Sequence, residues 1–230
     1  MVIAITGSRK GIGCNLAEHY LEQGHTVIGC SREMSDLKTP GYTHFQVDVS
    51  DEQSVNEWVK NIRSEFKSVD VLINNAGVAS MNHFMLTPTS TARRLMDINY
   101  FGTYYCTRAF VNLLRKSANP RIINFTTVAV PLVQAGDLTY VTAKTAIEAL
   151  TKVLAKELAQ FKITVNAVGP SAVDTDLTSH LGHKRLEALL EKQAINRIGT
   201  FADVSNVTDF FISPQSDFVT GQIIYLGGIN

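Results

Sequence analysis

The sequence has little charge, no excess of either sign and no long apolar run. Of its 230 residues 18% are charged, with 21 Lys and Arg against 21 Asp and Glu, so the formal net charge is zero. Because nucleic-acid-binding proteins usually carry a marked basic excess, this balance argues against that class. A disordered chain would contain less than the 45% of hydrophobic residues found here. No apolar segment approaches the ~20 residues that a membrane-spanning helix requires.

Cysteine is also scarce. Cys14, Cys30 and Cys106 are an odd number and have no metal-ligand spacing, and each lies among small or apolar residues. We therefore predict three buried thiols and no metal site. The first residues show no basic region ahead of an apolar one, as a secretory signal would have. These features favour a protein of the reducing cytoplasm whose partners include neither membrane nor nucleic acid.

Short apolar runs alternate with longer segments of helical period along the whole chain. The predicted strands are residues 2–5, 26–30, 44–47, 69–73, 121–125, 163–168 and 222–226. The predicted helices are residues 11–23, 54–65, 89–112, 140–160, 185–193 and 205–212. Several strands are apolar throughout, which is typical of strands covered on both faces. The pattern predicts an α/β fold, a doubly wound Rossmann-type parallel sheet with helices on both faces.

No linker or change of composition interrupts this alternation, so residues 1–230 are predicted to form a single domain. The crossover between residues 30 and 44 is too short for a full helix and predicts a loop or a single turn. Residues at about 174–201 include a polar, glycine-interrupted stretch, which favours a mobile flap over the substrate.

A glycine-rich segment at residues 6–13, Thr-Gly-Ser-Arg-Lys-Gly-Ile-Gly, lies between the first predicted strand and the first predicted helix. Glycine permits a sharp turn and lets phosphates approach the N–H groups at a helix N-terminus. A glycine turn can also be a simple connection, and the spacing is not G-x-G-x-x-G. Its position in a βαβ unit nevertheless favours dinucleotide binding.

Tyr140 and Lys144 are four residues apart at the start of a predicted helix, so their side chains share one face. Alone, such a pair is commonly a packing and surface feature. Thr127 and residues 74–77, however, follow two other predicted strands. Because ligands bind outside the carboxyl ends of parallel strands, these groups and the glycine-rich segment should converge on one rim of the sheet.

Together these residues resemble the short-chain dehydrogenase/reductase family over essentially the whole chain. The family's TGxxxGxG matches residues 6–13, its NNAG matches residues 74–77, and its YxxxK matches Tyr140 and Lys144. Its helix asparagine falls on Asn99.

The chain also departs from the family pattern. Thr127 stands where the family usually has a serine, thirteen residues before Tyr140. Ser171 follows Pro170 at a position where the family commonly has glycine. The threonine retains the hydroxyl but adds a methyl group and a stiffer χ1 angle.

The resemblance implies hydride transfer between a nicotinamide and a carbonyl or secondary alcohol carbon. It implies that Tyr140 is the general acid or base and that Thr127 binds the carbonyl oxygen. Lys144 would lower the tyrosine pKa and hold the nicotinamide ribose, and Asn99 would hold a water linked to Lys144. The implied cofactor-binding residues are Gly7, Ser8, Arg9, Lys10, Gly11, Ile12, Gly13, Ser31, Arg32, Asp48, Val49, Asn75, Ala76, Gly77, Tyr140, Lys144, Pro170, Val173 and Thr175.

Cofactor choice depends on the end of the second strand. NAD-binding proteins usually carry an acidic residue there for the ribose hydroxyl, whereas this chain has Ser31. Lys10 and Arg32 supply positive charge that favours a 2′-phosphate, and we expect Glu33 to point elsewhere. NADP is therefore predicted over NAD.

The sequence favours an NADPH-dependent carbonyl reductase or alcohol dehydrogenase acting on a small, mostly apolar substrate. One alternative is NAD-dependent oxidation of a secondary alcohol. The other is a binding protein that senses a dinucleotide and has lost its chemistry, for which Thr127 is the only support. Strand alternation predicts that Thr126 faces away from Thr127.

The resemblance also implies a homodimer or homotetramer. In this family the helices at residues 89–112 and 140–160 and the last strand form the subunit contacts. Phe101, Tyr104 and Phe110 place apolar side chains on more than one stripe of the first of these helices.

Overall fold

Seven strands form one parallel sheet in this computed structural model, which describes residues 1–175 and 182–229. The strands are β1 (Val2–Thr6), β2 (Thr26–Ser31), β3 (Tyr42–Gln46), β4 (Val71–Asn74), β5 (Arg121–Phe125), β6 (Thr164–Gly169) and β7 (Ile223–Tyr225). The helices are α1 (Gly11–Glu22), α2 (Glu52–Glu65), α3 (Thr89–Met96), α4 (Gly102–Leu114), α5 (Ala129–Leu132), α6 (Leu138–Glu157), α7 (His183–Leu190) and α8 (Phe201–Ile212).

The order of strands is β3-β2-β1-β4-β5-β6-β7, and every neighbouring pair is parallel. The chain moves outward from β1 in one direction and then returns to start the other half at β4. This reversal opens a crevice at the carboxyl ends of β1 and β4, where doubly wound sheets bind ligands. The predicted fold class is confirmed.

Both faces of the sheet are covered by helices, which explains why the central strands are apolar throughout. On one face Trp58 of α2 packs edge-on against Phe110 of α4, with ring centroids 5.0 Å apart. On the other face Tyr20 of α1 and Phe211 of α8 form the second part of the core. With two covered faces, only the ends of the strands are open to a ligand.

The predicted helix at residues 89–112 is interrupted. A π-helical turn over Asp97–Phe101 separates α3 from α4, and it carries Asn99, which is fully buried. Such a turn inserts an additional residue into the helix and redirects a side chain, and it often marks a functional site. The crossover after β2 contains no helix, as predicted. Of the predicted flap at 174–201, residues 176–181 lie outside the described part of the chain.

Two of the three predicted buried thiols are buried, and Cys14 departs from the prediction. Cys30 and Cys106 are buried, Cys14 is half-buried, and all three are free thiols. Burial raises the pKa of Cys106 to about 12, so this thiol is unreactive at neutral pH. Within residues 1–175 and 182–229, no helix is long and apolar enough to cross a membrane.

Candidate active site

The ends of β1 and β4 are joined by side-chain hydrogen bonds. Thr6 Oγ1 accepts from the backbone N–H groups of Asn75 at 3.1 Å and Ala76 at 3.0 Å. The side-chain amide of Asn75 donates to the carbonyl oxygens of Thr6 at 3.0 Å and Gly7 at 3.2 Å. A Cβ on Gly13 would lie 2.4 Å from Asn75 Nδ2, so only glycine leaves room for this amide. The glycine-rich segment and the asparagine segment therefore form one structural unit.

The glycine-rich loop is also attached to the next strand. The N–H groups of Gly7 and Ser8 both donate to the carbonyl oxygen of Cys30 in β2, at 2.8 and 3.1 Å. Ser8 is fully buried by these contacts, whereas Arg9 and Lys10 face the crevice. The loop is thus held from two strands, with its basic side chains directed toward the open end.

The side chains of Asn99 and Lys144 both lie close to Gly77. The Asn99 side chain forms a reciprocal pair with the backbone of Val78, donating to its oxygen at 2.9 Å and accepting from its nitrogen at 3.0 Å. Lys144 Nζ donates to the carbonyl oxygen of Phe125 at 2.8 Å. A Cβ on Gly77 would lie 2.8 Å from Asn99 Oδ1 and 3.4 Å from Lys144 Nζ. The π-helical turn therefore brings Asn99 to the loop that borders Lys144.

The Tyr140 hydroxyl accepts a hydrogen bond from Thr127 and is half-buried at the inner end of the crevice. Burial raises the pKa of Tyr140 to about 12, and the nearby Asp137 carboxylate acts in the same direction. The expected lowering of this pKa by Lys144 is not seen in this geometry, where its ammonium donates to the carbonyl oxygen of Phe125. Tyr140 is consequently a protonated phenol at neutral pH, which suits a proton donor.

The predicted orientation of Thr126 is also wrong. Its hydroxyl donates to Glu148 at 2.7 Å, and Glu148 belongs to the same helix, α6, as Tyr140. Strand β5 ends at Phe125, so the alternation of side chains does not extend to this position. Both threonine hydroxyls therefore contact α6.

One cleft of about 480 Å³ connects these groups. Of the predicted site residues, its wall includes Gly7, Arg9, Lys10, Gly11, Ile12, Ser31, Arg32, Asp48, Val49, Asn75, Ala76, Gly77, Thr127, Tyr140, Lys144, Pro170, Val173 and Thr175. Ser8, Gly13 and Asn99 lie behind the wall and support it. The wall also contains Val78 and Ala79. It further contains residues that the sequence analysis did not select as site residues, namely Glu33, Val47, Arg94, Ile98, Phe125, Thr126 and Ser171.

Arg94 and Ile98 could have been selected from the sequence. They are four residues apart, so they share one face of the predicted helix, and they precede Asn99, which the family pattern had singled out. Nothing in the sequence singled out Glu33, and the expectation that it points elsewhere is wrong. Its carboxylate reaches back to the glycine-rich loop and pairs with Arg9 at 3.0 Å. The outer end of the cleft therefore carries an ion pair beside the exposed Arg32.

The cleft fits a dinucleotide. Its outer end is bordered by basic side chains, its middle by the glycine-rich turn before the N-terminus of α1, and its inner end by Tyr140. The buried Ser171 Oγ on its wall has no hydrogen-bond partner among the described residues. A buried hydroxyl without a partner is costly, so this one is suited to a ligand's polar group.

A model of the family described as enoyl-(acyl carrier protein) reductase matches residues 7–229. The chain belongs to the short-chain dehydrogenase/reductase family. It is an oxidoreductase of this family, whose enzymes act on CH–OH and C=O groups. The 3-oxoacyl-[acyl-carrier-protein] reductase FabG of Staphylococcus epidermidis is 31% identical to it over 97% of this chain and 96% of the relative. The corresponding enzyme of Vibrio cholerae is 29% identical over 99% and 96%.

Solved structures agree with this assignment. The ligand-free aldohexose dehydrogenase AldT of Thermoplasma acidophilum has 30% identity and a TM-score of 0.91, covering 99% of this chain and 93% of that one. The structure of ElxO with NADP bound has 26% identity and a TM-score of 0.89, covering 98% and 96%.

Burial of Lys144 predicts a pH-dependent stability. Its pKa in the folded protein is about 8, below the ordinary 10.5, because burial disfavours the ammonium. Between these values the unfolded chain binds more protons than the folded one, so the contribution of Lys144 to stability rises with pH. We expect Lys144→Met to unfold at a higher urea concentration than the parent at pH 7, with the difference narrowing toward pH 10.

Urea midpoints at intervals from pH 7 to pH 10 test this expectation. Lys152→Met is the control, because Lys152 lies on the exposed face of the same helix. The control should differ from the parent by a constant amount. A constant difference for Lys144→Met as well would contradict the lowered pKa.

Proposed function

We propose that this protein is an NADPH-dependent reductase that transfers a hydride between nicotinamide and the carbonyl or secondary alcohol carbon of a small, mostly apolar substrate. The observation that carries this proposal is the hydrogen-bonded pair of Thr127 and Tyr140 beside Lys144, at the inner end of a cleft suited to a dinucleotide. A cytoplasmic location remains a prediction from the sequence.

Bound nicotinamide supplies the hydride in this reaction. The hydroxyls of Thr127 and Tyr140 lie together, so both donate to one substrate oxygen as negative charge grows on it. Tyr140, protonated at neutral pH, then transfers its proton to that oxygen. The ammonium of Lys144, charged below a pKa of about 8, holds the nicotinamide ribose and offsets negative charge near the phenol.

A protonated Tyr140 fits the role of proton donor in the reducing direction, and the same hydroxyl would accept the proton in the oxidising direction. A group with a pKa of about 12 donates a proton readily only when the acceptor becomes strongly basic, as an oxygen does after hydride addition. The second alternative, a sensor without chemistry, has weaker support because Asn99, Thr127, Tyr140 and Lys144 converge on one place.

The preference for NADPH is supported by the outer end of the cleft. Ser31 stands at the carboxyl end of β2, and Lys10 and Arg32 line the cleft beside it. Glu33 opposes a 2′-phosphate, but its charge is offset by Arg9. ElxO, the structural relative with 26% identity, was solved with NADP bound.

The substrate end of the cleft is bordered by small side chains. Val78, Ala79 and Ser171 line this end, which favours a slender and mostly apolar substrate. The FabG relatives are named for reduction of a 3-oxoacyl group on an acyl carrier protein, and AldT is named for an aldohexose. Of these two substrate classes we propose an acyl chain bearing a ketone, because Val78 and Ala79 offer it apolar contacts.

Removal of the Tyr140 hydroxyl should abolish most turnover. Tyr140→Phe keeps the ring and loses the proton donor, so we expect kcat for ketone reduction to fall by about 10²–10⁴-fold with the Kd for NADPH nearly unchanged. Thr127→Ser should retain activity, whereas Thr127→Ala should lose more than about ten-fold because a donor to the oxyanion is missing. Steady-state kinetics with a panel of ketones measures both effects.

Thr145→Ala is the control for this series, since Thr145 lies on the exposed face of α6 and donates to the carbonyl oxygen of Val141 in its own helix. Thr126 is unsuitable because of its bond to Glu148. Normal turnover by Thr127→Ala would mean that another group binds the substrate oxygen.

Arg32 should contribute more to NADPH binding than to NADH binding. A charge-assisted hydrogen bond to a phosphate contributes about 1.5–3 kcal/mol, so Arg32→Ala should raise the Kd for NADPH by about ten-fold or more. The Kd for NADH should change by less than about two-fold, because the adenosine ribose then carries only a hydroxyl. Calorimetric titration of both cofactors checks this, with Arg63→Ala on the exposed face of α2 as control. Equal affinities in the parent would contradict the preference.

We also propose a homodimer or homotetramer that buries the outer faces of α4 and α6. Tyr104 of α4 and Val153 of α6 are 37% and 53% exposed, and Phe101, at the end of the π-helical turn directly before α4, is 39% exposed. The expectation that Phe110 belongs to this surface is wrong, because it is buried against Trp58. Apolar side chains clustered on a surface commonly mark a subunit contact.

Light scattering at micromolar concentration should give two or four times the chain mass of 25.3 kDa. Val153→Arg should shift the mass toward a single chain by placing charge in the contact. Met34→Ser, which changes an exposed residue after β2, should leave the mass unaltered. A 25.3 kDa particle for the parent would contradict the assembly.

A further inference from the structure

A row of side-chain hydrogen bonds runs behind the outer end of the cleft, from the glycine-rich loop to the end of β2. Ser8 Oγ lies 2.9 Å from Tyr42 OH, which lies 2.7 Å from His44 Nδ1. His44 Nε2 in turn lies 3.0 Å from Ser31 Oγ. Tyr42 and His44 are two residues apart in β3, so their side chains share one face of the strand.

The row depends on a glycine in the neighbouring strand. A Cβ on Gly29 would lie 2.2 Å from Ser8 Oγ and 2.3 Å from Tyr42 OH. Glycine within a strand weakens the strand and often marks a close approach of other groups. Here β2 has no side chain at the point where the row crosses it.

The backbone carbonyl oxygen of Glu33, at the end of the row, fixes which atom donates in each of these hydrogen bonds. The backbone oxygen of Glu33 can only accept, and it lies 3.0 Å from His44 Nε2 and 2.5 Å from Ser31 Oγ. The proton of the neutral imidazole is therefore on Nε2, and Nδ1 accepts from the Tyr42 hydroxyl. The Tyr42 oxygen is then free to accept from Ser8.

The charges around His44 favour this neutral form. Burial lowers its pKa, the positive charge of Arg9 lowers it further, and the hydrogen bond to the Glu33 carbonyl only partly offsets them. The Glu33 carboxylate is directed to Arg9 at 3.0 Å. Tyr42 and Ser31 face the ring as uncharged hydroxyls.

We propose that His44 is a positioning residue for the adenosine 2′-phosphate of the cofactor and that it acts through Ser31. Ser31 is on the cleft wall, whereas His44 lies behind it. When Ser31 turns its proton from the Glu33 oxygen toward a phosphate oxygen, the Nε2–H of His44 still donates to Glu33. The Glu33 oxygen therefore keeps a donor when the Ser31 hydroxyl rotates. Loss of that donor would make the rotation unfavourable. This inference rests on the proposed preference for NADPH.

Two substitutions of His44 separate its two nitrogens. In His44→Asn the amide occupies the place of Nδ1 and keeps a partner for Tyr42, but it is too short to reach the Glu33 oxygen. In His44→Gln the longer amide reaches the place of Nε2 and can donate to Glu33. We expect His44→Asn to raise the Kd for NADPH by about ten-fold and that for NADH by less than about two-fold. His44→Gln should stay within about three-fold of the parent for NADPH.

The measurement is calorimetric titration of the full chain with NADPH and with NADH, accompanied by urea midpoints and by kcat at saturating NADPH. The value of kcat should not change, because the row lies away from Tyr140. An equal loss of both cofactors in His44→Asn would indicate a merely structural role and overturn the inference. An unchanged NADPH affinity in that variant would overturn this inference alone, whereas a parent without NADPH preference would overturn the cofactor proposal and this inference together.

The proton direction has its own test. Nitrogen NMR of the parent should show His44 with its proton on Nε2, and Tyr42→Phe should weaken that tautomer because the donor to Nδ1 is lost. Tyr42→Phe should also raise the Kd for NADPH more than that for NADH. A proton on Nδ1 in the parent would overturn the inference.

Discussion

The rest of the site depends on the hydrogen bonds that the Thr6 hydroxyl accepts. This hydroxyl accepts two backbone N–H groups from the segment after β4 and so joins the two strands between which the chain reverses. The amide of Asn75 completes the junction by donating to the backbone on either side of the turn. Together with the pairing of β1 and β4, this junction fixes the glycine-rich loop relative to Gly77, and Gly77 is the residue that Asn99 and Lys144 flank.

Burial shifts the pKa values of Tyr140 and Lys144 in opposite directions. It raises the pKa of the phenol to about 12 and lowers that of the ammonium to about 8, since it disfavours the charged form of each. Near pH 7 both groups still carry their protons. The site therefore holds a neutral acid beside a positive charge, which is the arrangement that a growing negative charge on a substrate oxygen requires.

Features with a local cause were predictable from sequence. Strands apolar throughout and helices of amphipathic period depend on neighbouring residues, so the seven strands and their parallel arrangement were predictable, whereas their order in the sheet was not predicted. The glycine-rich turn was equally predictable, because only glycine allows the close approach seen at Gly13. The π-helical turn at Asn99 was not predicted from the sequence, and the partner of its buried side chain, the backbone of Val78, is 21 residues away in the chain.

The sequence by itself determined which chemical groups stand at the ends of the strands. The apolar runs mark where each strand ends, and the residues that follow lie at the carboxyl edge of a parallel sheet. Only the tertiary structure decided where their protons and charges go. The Glu33 carboxylate turns to Arg9, Thr126 turns to Glu148, and the Tyr140 pKa rises rather than falls. Each outcome depends on burial and on a partner brought close by folding, as Thr6 and Asn75 are across 69 positions of the chain. Such contacts have no trace in local composition, because the energy that selects them exists only once water has been excluded from the assembled cleft.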